Sequence, residues 1–261
     1  TDEALLATTA KADRLLNEIE EMVAMNCTAV DIAYSPNDLY RLKREGKKAI
    51  MLGIENGYAI GKDLSRVAHF RKRGVVYMTL CHNGNNDICG SARYNEENLG
   101  VTPFGEQVIQ EMNRLGMMVD LSHSGERTFY ETLDISSQPV VCSHSSSRAL
   151  CDHPRNLTDD QLRAIARKGG VVQVCLYSGF LRKERPAHIL DAIEHLNHMV
   201  NVMGIEHVGI GSDFDGDGGI IGCNDSSEII NLTRQLLHER YNEEDIRRIW
   251  GGNFLRVMQQ V

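Results

Sequence analysis

The sequence predicts an α/β fold with a parallel, barrel-type sheet, and three observations carry that reading. Short β-branched apolar runs alternate with amphipathic helical stretches along most of the 261 residues, as expected of strand–helix–strand units with right-handed crossovers. No Gly/Ser-rich or Pro-rich linker and no internal repeat interrupts them, so one domain is expected over residues 1–261. Four of the apolar runs stop at a side chain able to do chemistry: AIMLGIE at Glu55, MMVDLSH at His123, PVVCSH at His144 and HVGIGSD at Asp213. In a parallel barrel the C-terminal strand ends converge on one mouth, where such proteins carry their sites.

Taken in order, residues 3–25 read as a helix, with Leu6, Ala10, Ala12, Leu15, Leu16, Ile19, Met22 and Val23 recurring at helical spacing. Candidate strands then fall at residues 28–33, 48–54, 75–81, 117–122, 139–143, 170–176 and 207–212. Thr102-Pro103 places a cap before a proline at the first helical position and opens FGEQVIQEMNRLG. Thr158 through Gln161 forms a capping box ahead of QLRAIARKG. A third helix is expected over 187–203, ending near Gly204, and two more follow in SSEIINLTRQLLHER and in NEEDIRRIWGGNFLRVMQQ, the latter capped by Asn242. This count gives at most seven strands, one short of the eight a closed barrel needs.

The composition narrows the function. With 28 basic and 36 acidic residues the formal charge is −8, and no basic stripe stands out, so nucleic acid is not an expected partner. No apolar segment approaches the ~18 residues of a membrane span. Seven cysteines without a CxxC pair read as mostly free thiols. Cys142 and Cys175 sit inside apolar runs as small hydrophobes, and Cys81 and Cys89 could bridge only in an oxidising compartment. Nothing separates cytoplasmic from periplasmic or secreted locations.

Each chemical side chain has a plainer reading beside the functional one. Glu55, after a buried run and before a glycine turn, is either an exposed loop carboxylate or one held by a partner or a metal. His123 and His144 recur at equivalent strand ends with serines on both sides, which favours a supported site over two unrelated polar residues. Two imidazoles and a carboxylate suit zinc or a similar divalent ion and point to a metal-dependent hydrolase. His82, ending YMTLCH, is either a further ligand or donor to an oxyanion, or a loop residue. Asp213 suits proton transfer, whereas Asp215 and Asp217 shape the Gly-rich turn, since the spacing lacks the calcium-loop pattern. His195 and His198 share a helix face without an acidic partner at metal-site spacing and read as solvated, as do His69, His153, His207 and His238. Arg148 and Arg155 follow the second histidine run, placed either to grip a substrate carboxylate or to make surface pairs.

Together, GIENGYAIG, YMTLCHNGNND, TPFGEQVIQEMNRLGMMVDLSHSG, PVVCSHSSSRALCDHPRNLTDDQLRAIA, HVGIGSDFDG and GGNFLRV resemble the membrane (renal-type) dipeptidases, zinc dipeptidases of the amidohydrolase barrels. The resemblance runs across nearly the whole chain in order. It implies a TIM-like (β/α)8 hydrolase barrel and hydrolysis of dipeptides by a metal-bound hydroxide, with two Zn2+ in the complete family site. By position, Glu55 matches the carboxylate bridging two ions, and His123 and His144 match ligands of the second. His82 matches the histidine polarising the scissile carbonyl, Arg155 the arginine binding the terminal carboxylate, Asp213 the acid/base and Tyr177 a pocket-lining tyrosine.

One departure matters. Family members open with a strand carrying a His-x-Asp pair that completes the first metal site, and this chain has no His before His69. By the resemblance, its first two strands are missing and the chain is a fragment of a longer protein, with at least one ion still supported. The alternatives are another amidohydrolase reaction, such as a lactonase or deacetylase, or a non-catalytic homologue without the first metal site. A homodimer is compatible with the resemblance.

Overall fold

In the computed structural model, residues 2–261 are described, and the chain divides into two compact units. One runs to Gln138 and includes Met258–Val261; the other spans Pro139–Val257.

The first unit opens with α1 (Asp2–Met25), β1 (Val30–Ile32), α2 (Pro36–Arg44), β2 (Lys48–Ile50) and β3 (Leu52–Glu55). It continues through α3 (Ser65–Lys72), β4 (Val75–Thr79), α4 (Pro103–Leu115), β5 (Met118–Asp120) and α5 (Glu126–Ile135). β1 and β2 form a parallel pair in the register Val30↔Lys48. β3, β4 and β5 are parallel neighbours, and their register sets Glu55, Thr79 and Asp120 in one row at the C-terminal ends. The run expected as one strand over 48–54 is two, because Met51 leaves the ladder and the register of β3 on β4 shifts at Leu52/Gly53. The Tyr77 ring lies against Gly53 where a Cβ would stand; only glycine tolerates that approach.

Helix α4 starts where the sequence places it. The Thr102 hydroxyl accepts the Gly105 N–H at 2.9 Å, Pro103 occupies the first turn, and Gly116 closes the helix at φ 68°. Val108, Ile109 and Met112 on its inner face are fully buried, as are Val67 and Phe70 of α3 and Val75 of β4. Each side chain of this size removed from water contributes about 1.5–3 kcal/mol, which holds the helices over the strands whose ends matter.

The second unit contains β6 (Val141–Cys142), α6 (Asp159–Arg167), β7 (Val171–Cys175), α7 (Ser178–Leu181), α8 (Ile189–Met203) and β8 (Val208–Gly211). After these come α9 (Ile230–His238), α10 (Glu243–Arg247) and α11 (Asn253–Gln260). β6, β7 and β8 are again parallel, in the registers Val141↔Val171 and Cys175↔Gly211. The capping box is present in full: Thr158 Oγ1 accepts the Gln161 N–H at 3.2 Å, and Gln161 Oε1 accepts the Thr158 N–H at 2.9 Å. Helix α6 packs on α8, and Leu162 and Ile165 of the first and Leu196 and Met199 of the second are buried. Asn242 caps α10 through the Asp245 N–H at 2.9 Å. The single helix expected beyond it is broken at Gly251 (φ 156°), so α10 and α11 are separate.

All seven cysteines are free, including Cys81 and Cys89, and only Cys27 is exposed. Cys81 Sγ points instead at the carbonyls of Gly90 and His123, 3.9 and 3.7 Å away.

Candidate active site

Both units carry their chemical side chains at the C-terminal ends of parallel strands. In the first, Glu55 is the last residue of β3, His82 follows β4 by three residues, and His123 follows β5 by three. Glu55 Oε1 lies 3.1 Å from His123 Nε2 and 4.0 Å from His82 Nε2. The two imidazole rings are 4.2 Å apart at a tilt of 33°. His123 is buried, whereas the Glu55 and His82 side chains are each 42% exposed, so the cluster is open to a small molecule on one side.

Three neighbours hold this cluster in shape. Asp120, fully buried, accepts from the Thr79 hydroxyl at 2.6 Å and the Ser122 N–H at 3.0 Å, fixing the turn after β5. That turn carries His123 at φ 71°, a left-handed backbone that His tolerates better than most residues. Asn86 donates to Asn56 Oδ1 at 3.1 Å and to the Leu80 carbonyl at 2.8 Å, tying the loop after β4 to the turn after Glu55. Asn83 Oδ1 faces His123 Nδ1 at 3.4 Å. With the proton on Nδ1, the Nε2 lone pair is turned toward Glu55.

A carboxylate oxygen and an imidazole lone pair in such contact repel unless a proton or a cation lies between them. Two ligands of one tetrahedral ion, each at about 2.0–2.1 Å from it, stand about 3.3 Å apart. The observed 3.1 Å and the N/O donor chemistry fit a divalent metal.

In the second unit three side chains each stand two residues beyond a strand: His144 after β6, Tyr177 after β7 and Asp213 after β8. His144 is buried, with Nδ1 in contact with the Ser143 hydroxyl at 2.8 Å. Its carbonyl accepts from Arg155 Nη2 at 3.2 Å. Arg155, only 3% exposed, lays its guanidinium over the Phe180 ring at 5.2 Å. Tyr177 meets the same ring edge-on at 4.7 Å. Asp213 Oδ2 accepts from the buried Cys175 thiol at 3.5 Å. Burial, reinforced by the Asp213 charge, pushes that thiol well above its ordinary range and keeps it protonated. The Asp213 carbonyl accepts the N–H groups of Gly216 and Gly218, so the glycines wrap the turn while Asp215 and Asp217 stay exposed.

The structure thus groups Glu55, His82 and His123 in one unit and links His144 to Arg155 in the other. Arg148 braces its own loop, donating to the Asn156 and Pro154 carbonyls. The solvated reading of His195 is corrected: it is 1% exposed, its Nδ1 accepts the Ser147 N–H at 3.1 Å and its Nε2 donates to the Leu181 carbonyl at 3.2 Å. Burial lowers its pKa to about 4, so it is a neutral strut. His198 faces Asp159 at 2.7 Å. His153, also expected to be solvated, is half-buried and packs its ring 4.6 Å from Phe180. Asp120, Asn86 and Phe180 escaped the sequence reading, as did the contact of Cys175, expected only as a small hydrophobe, with Asp213. An acid inside the apolar run MMVDLSH was a usable sign for Asp120; Asn86 and Phe180 carry no local one.

Parallel strands ending in carboxylate and imidazole define an α/β protein with a candidate metal-binding site, and comparison with known proteins gives its family. The chain belongs to the membrane dipeptidase family, peptidase family M19, whose profile matches residues 5–261. It is 42% identical over 226 residues to an uncharacterized dipeptidase of Schizosaccharomyces pombe, covering 84% of this chain and 54% of that protein. To Dipeptidase 3 of Mus musculus it is 34% identical over 256 residues, covering 96% and 52%. Among solved structures it is similar to the probable dipeptidase PvdM from Pseudomonas aeruginosa, with a TM-score of 0.91, 31% identity and coverage of 94% and 77%. A metallo peptidase from Rhodobacter sphaeroides, liganded with a phosphinate mimic of the dipeptide L-Ala-D-Ala, gives a TM-score of 0.88 at 26% identity, covering 94% and 72%. The chain spans about half the length of the curated relatives it matches. Among the described residues, no helix is long and apolar enough to cross a membrane.

Proposed function

We propose that this protein is a metal-dependent dipeptidase, with Zn2+ held by Glu55, His123 and His144. These residues offer one carboxylate oxygen and two imidazole nitrogens, a set suited to zinc. The observation that carries the reading is the contact of Glu55, at the end of β3, with His123, just beyond β5, with His82 from the end of the intervening β4 beside them. The Rhodobacter sphaeroides relative bound to a dipeptide mimic supports a dipeptide as substrate. The complete family site implies two ions, of which these residues support at least one.

When bound, the ion supplies Lewis acidity and lowers the pKa of a coordinated water toward neutrality. The remaining work falls to side chains of this chain. His82, half-exposed beside Glu55, is placed to donate a hydrogen bond to the oxygen of the scissile carbonyl as it gains charge; one such donor is worth roughly 10²–10³ in rate. Asp213 accepts the proton of the attacking water and returns it to the leaving amine, a role worth about 10²–10⁴. Arg155 binds the C-terminal carboxylate of the substrate bidentately, which limits chain length to two residues. Tyr177 lines the pocket beside it.

The test is an assay of the purified protein with Zn2+ on simple dipeptides, paired with elemental analysis of the bound metal. Cleavage is expected, with Asp213→Asn at least about 100-fold slower and Glu55→Gln depleted of metal. A zinc-loaded protein that cleaves no dipeptide, or an Asp213→Asn variant at full rate, refutes the reading.

A further inference from the structure

We propose that Phe180 is the positioning residue behind recognition of the substrate's free C-terminal carboxylate, because its ring fixes the plane of the Arg155 guanidinium. The inference rests on the reading of Arg155 as the carboxylate-binding group and deepens it.

An arginine side chain has several rotatable bonds, and a bidentate grip on a carboxylate requires its planar fork to be held in one orientation. Two contacts with Arg155 do this. Nη2 is anchored on the His144 carbonyl at 3.2 Å, which fixes one corner. The Phe180 ring lies 5.2 Å from Cζ, within the range where a cation is attracted to the negative face of an aromatic ring. A guanidinium held by its face keeps its in-plane N–H groups for an anion.

The ring is itself over-determined. Tyr177 packs on it at 4.7 Å and His153 at 4.6 Å. The Phe180 carbonyl accepts from Asn156 Nδ2 at 2.7 Å, and the same amide donates to the Cys151 carbonyl at 2.8 Å. Asn156 is the immediate neighbour of Arg155, and the Arg155 N–H donates to His153 Nδ1 at 3.1 Å. The loop that carries the guanidinium is therefore tied through its own residues to the helix that carries the ring. Tyr177, expected to line the pocket, also buttresses that ring.

Phe180 acts through Arg155 on the terminal carboxylate and not on the bond being cleaved, so its loss weakens ground state and transition state alike. Such uniform binding appears in KM and leaves kcat in place. The experiment compares a dipeptide with its C-terminally amidated form, using wild type, Phe180→Leu, and protein carrying progressively fluorinated phenylalanine at position 180. Fluorination keeps the shape of the ring and withdraws charge from its face, so it separates attraction from packing should Phe180→Leu fail to fold. The expected result is a KM for the free dipeptide raised about 3- to 30-fold in Phe180→Leu and stepwise across the fluorinated series, with kcat within about twofold and the amide unaffected. A flat fluorinated series, or equal losses on both substrates, overturns the proposal. Arg155→Met separates this failure from that of the underlying reading. If it keeps the discrimination between acid and amide, the role of Arg155 falls; if it loses it while the Phe180 variants do not, only the role of Phe180 falls.

Discussion

A neutral imidazole in the core is a pH-dependent load on stability, and His195 is one. Buried between the Ser147 N–H and the Leu181 carbonyl, it titrates at about 4 instead of 6.5. The unfolded chain takes up this proton near pH 6.5, whereas the folded chain resists until about pH 4. Stability from this residue is therefore complete above pH 6.5 and is lost as the pH falls toward 4, by about 3 kcal/mol in all. Urea unfolding at pH 7 and pH 4 should show wild type losing that much more than His195→Gln; parallel losses would contradict the account. The same scale governs thiol reactivity. Cys27 is the one exposed cysteine, and burial raises the Cys151, Cys175 and Cys223 thiols. Brief treatment with iodoacetamide at pH 8 should label Cys27 first, read by peptide mass spectrometry, because the thiolate is the reactive form. The strand-end positions of Glu55, His123 and His144 were legible in the sequence because each ends an apolar run, a signal that survives without tertiary knowledge. His195 was not, since its burial depends on an amide 48 residues away.

At the scale of elements, the helix starts were the most legible features, because a cap is a contact between near neighbours. Thr102 and Thr158 both cap as their spacing predicts. Replacing Thr158 by Ala should cost about 1 kcal/mol, measured as a lowered denaturation midpoint with an unchanged slope. The strand expected over 48–54 failed for the opposite reason. Its break at Met51 and its shifted register at Gly53 accompany the Tyr77 ring arriving from the next strand, and periodicity within one segment cannot register a neighbour. Likewise Gly251 and Gly252 lie inside an apolar helical pattern that continues on both sides, and the pattern alone does not show that the backbone turns there.

For the molecule as a whole, the α/β class and the parallel pairing followed from alternation alone, and family membership agrees with both. The prediction at this scale is linkage between metal and stability. A ligand that binds only the folded form at a free concentration 100-fold above its Kd adds about 2.7 kcal/mol, which in a chain of this size raises Tm by roughly 5–10 °C. Zinc should produce that rise in a thermal melt, and His144→Ala should reduce it. A melt indifferent to zinc would count against His144 as a ligand.

His82, His123, His144, Tyr177 and Asp213 all lie two or three residues past the last rung of their strands, outside the ladder that stabilises the sheet. Substrate preference can therefore drift through exchanges in one connecting loop at a time, with the framework beneath left intact. A library randomised in the loop after β8 with Asp213 held fixed should yield many folded variants with altered selectivity, whereas one randomised in β7 should yield mostly insoluble protein.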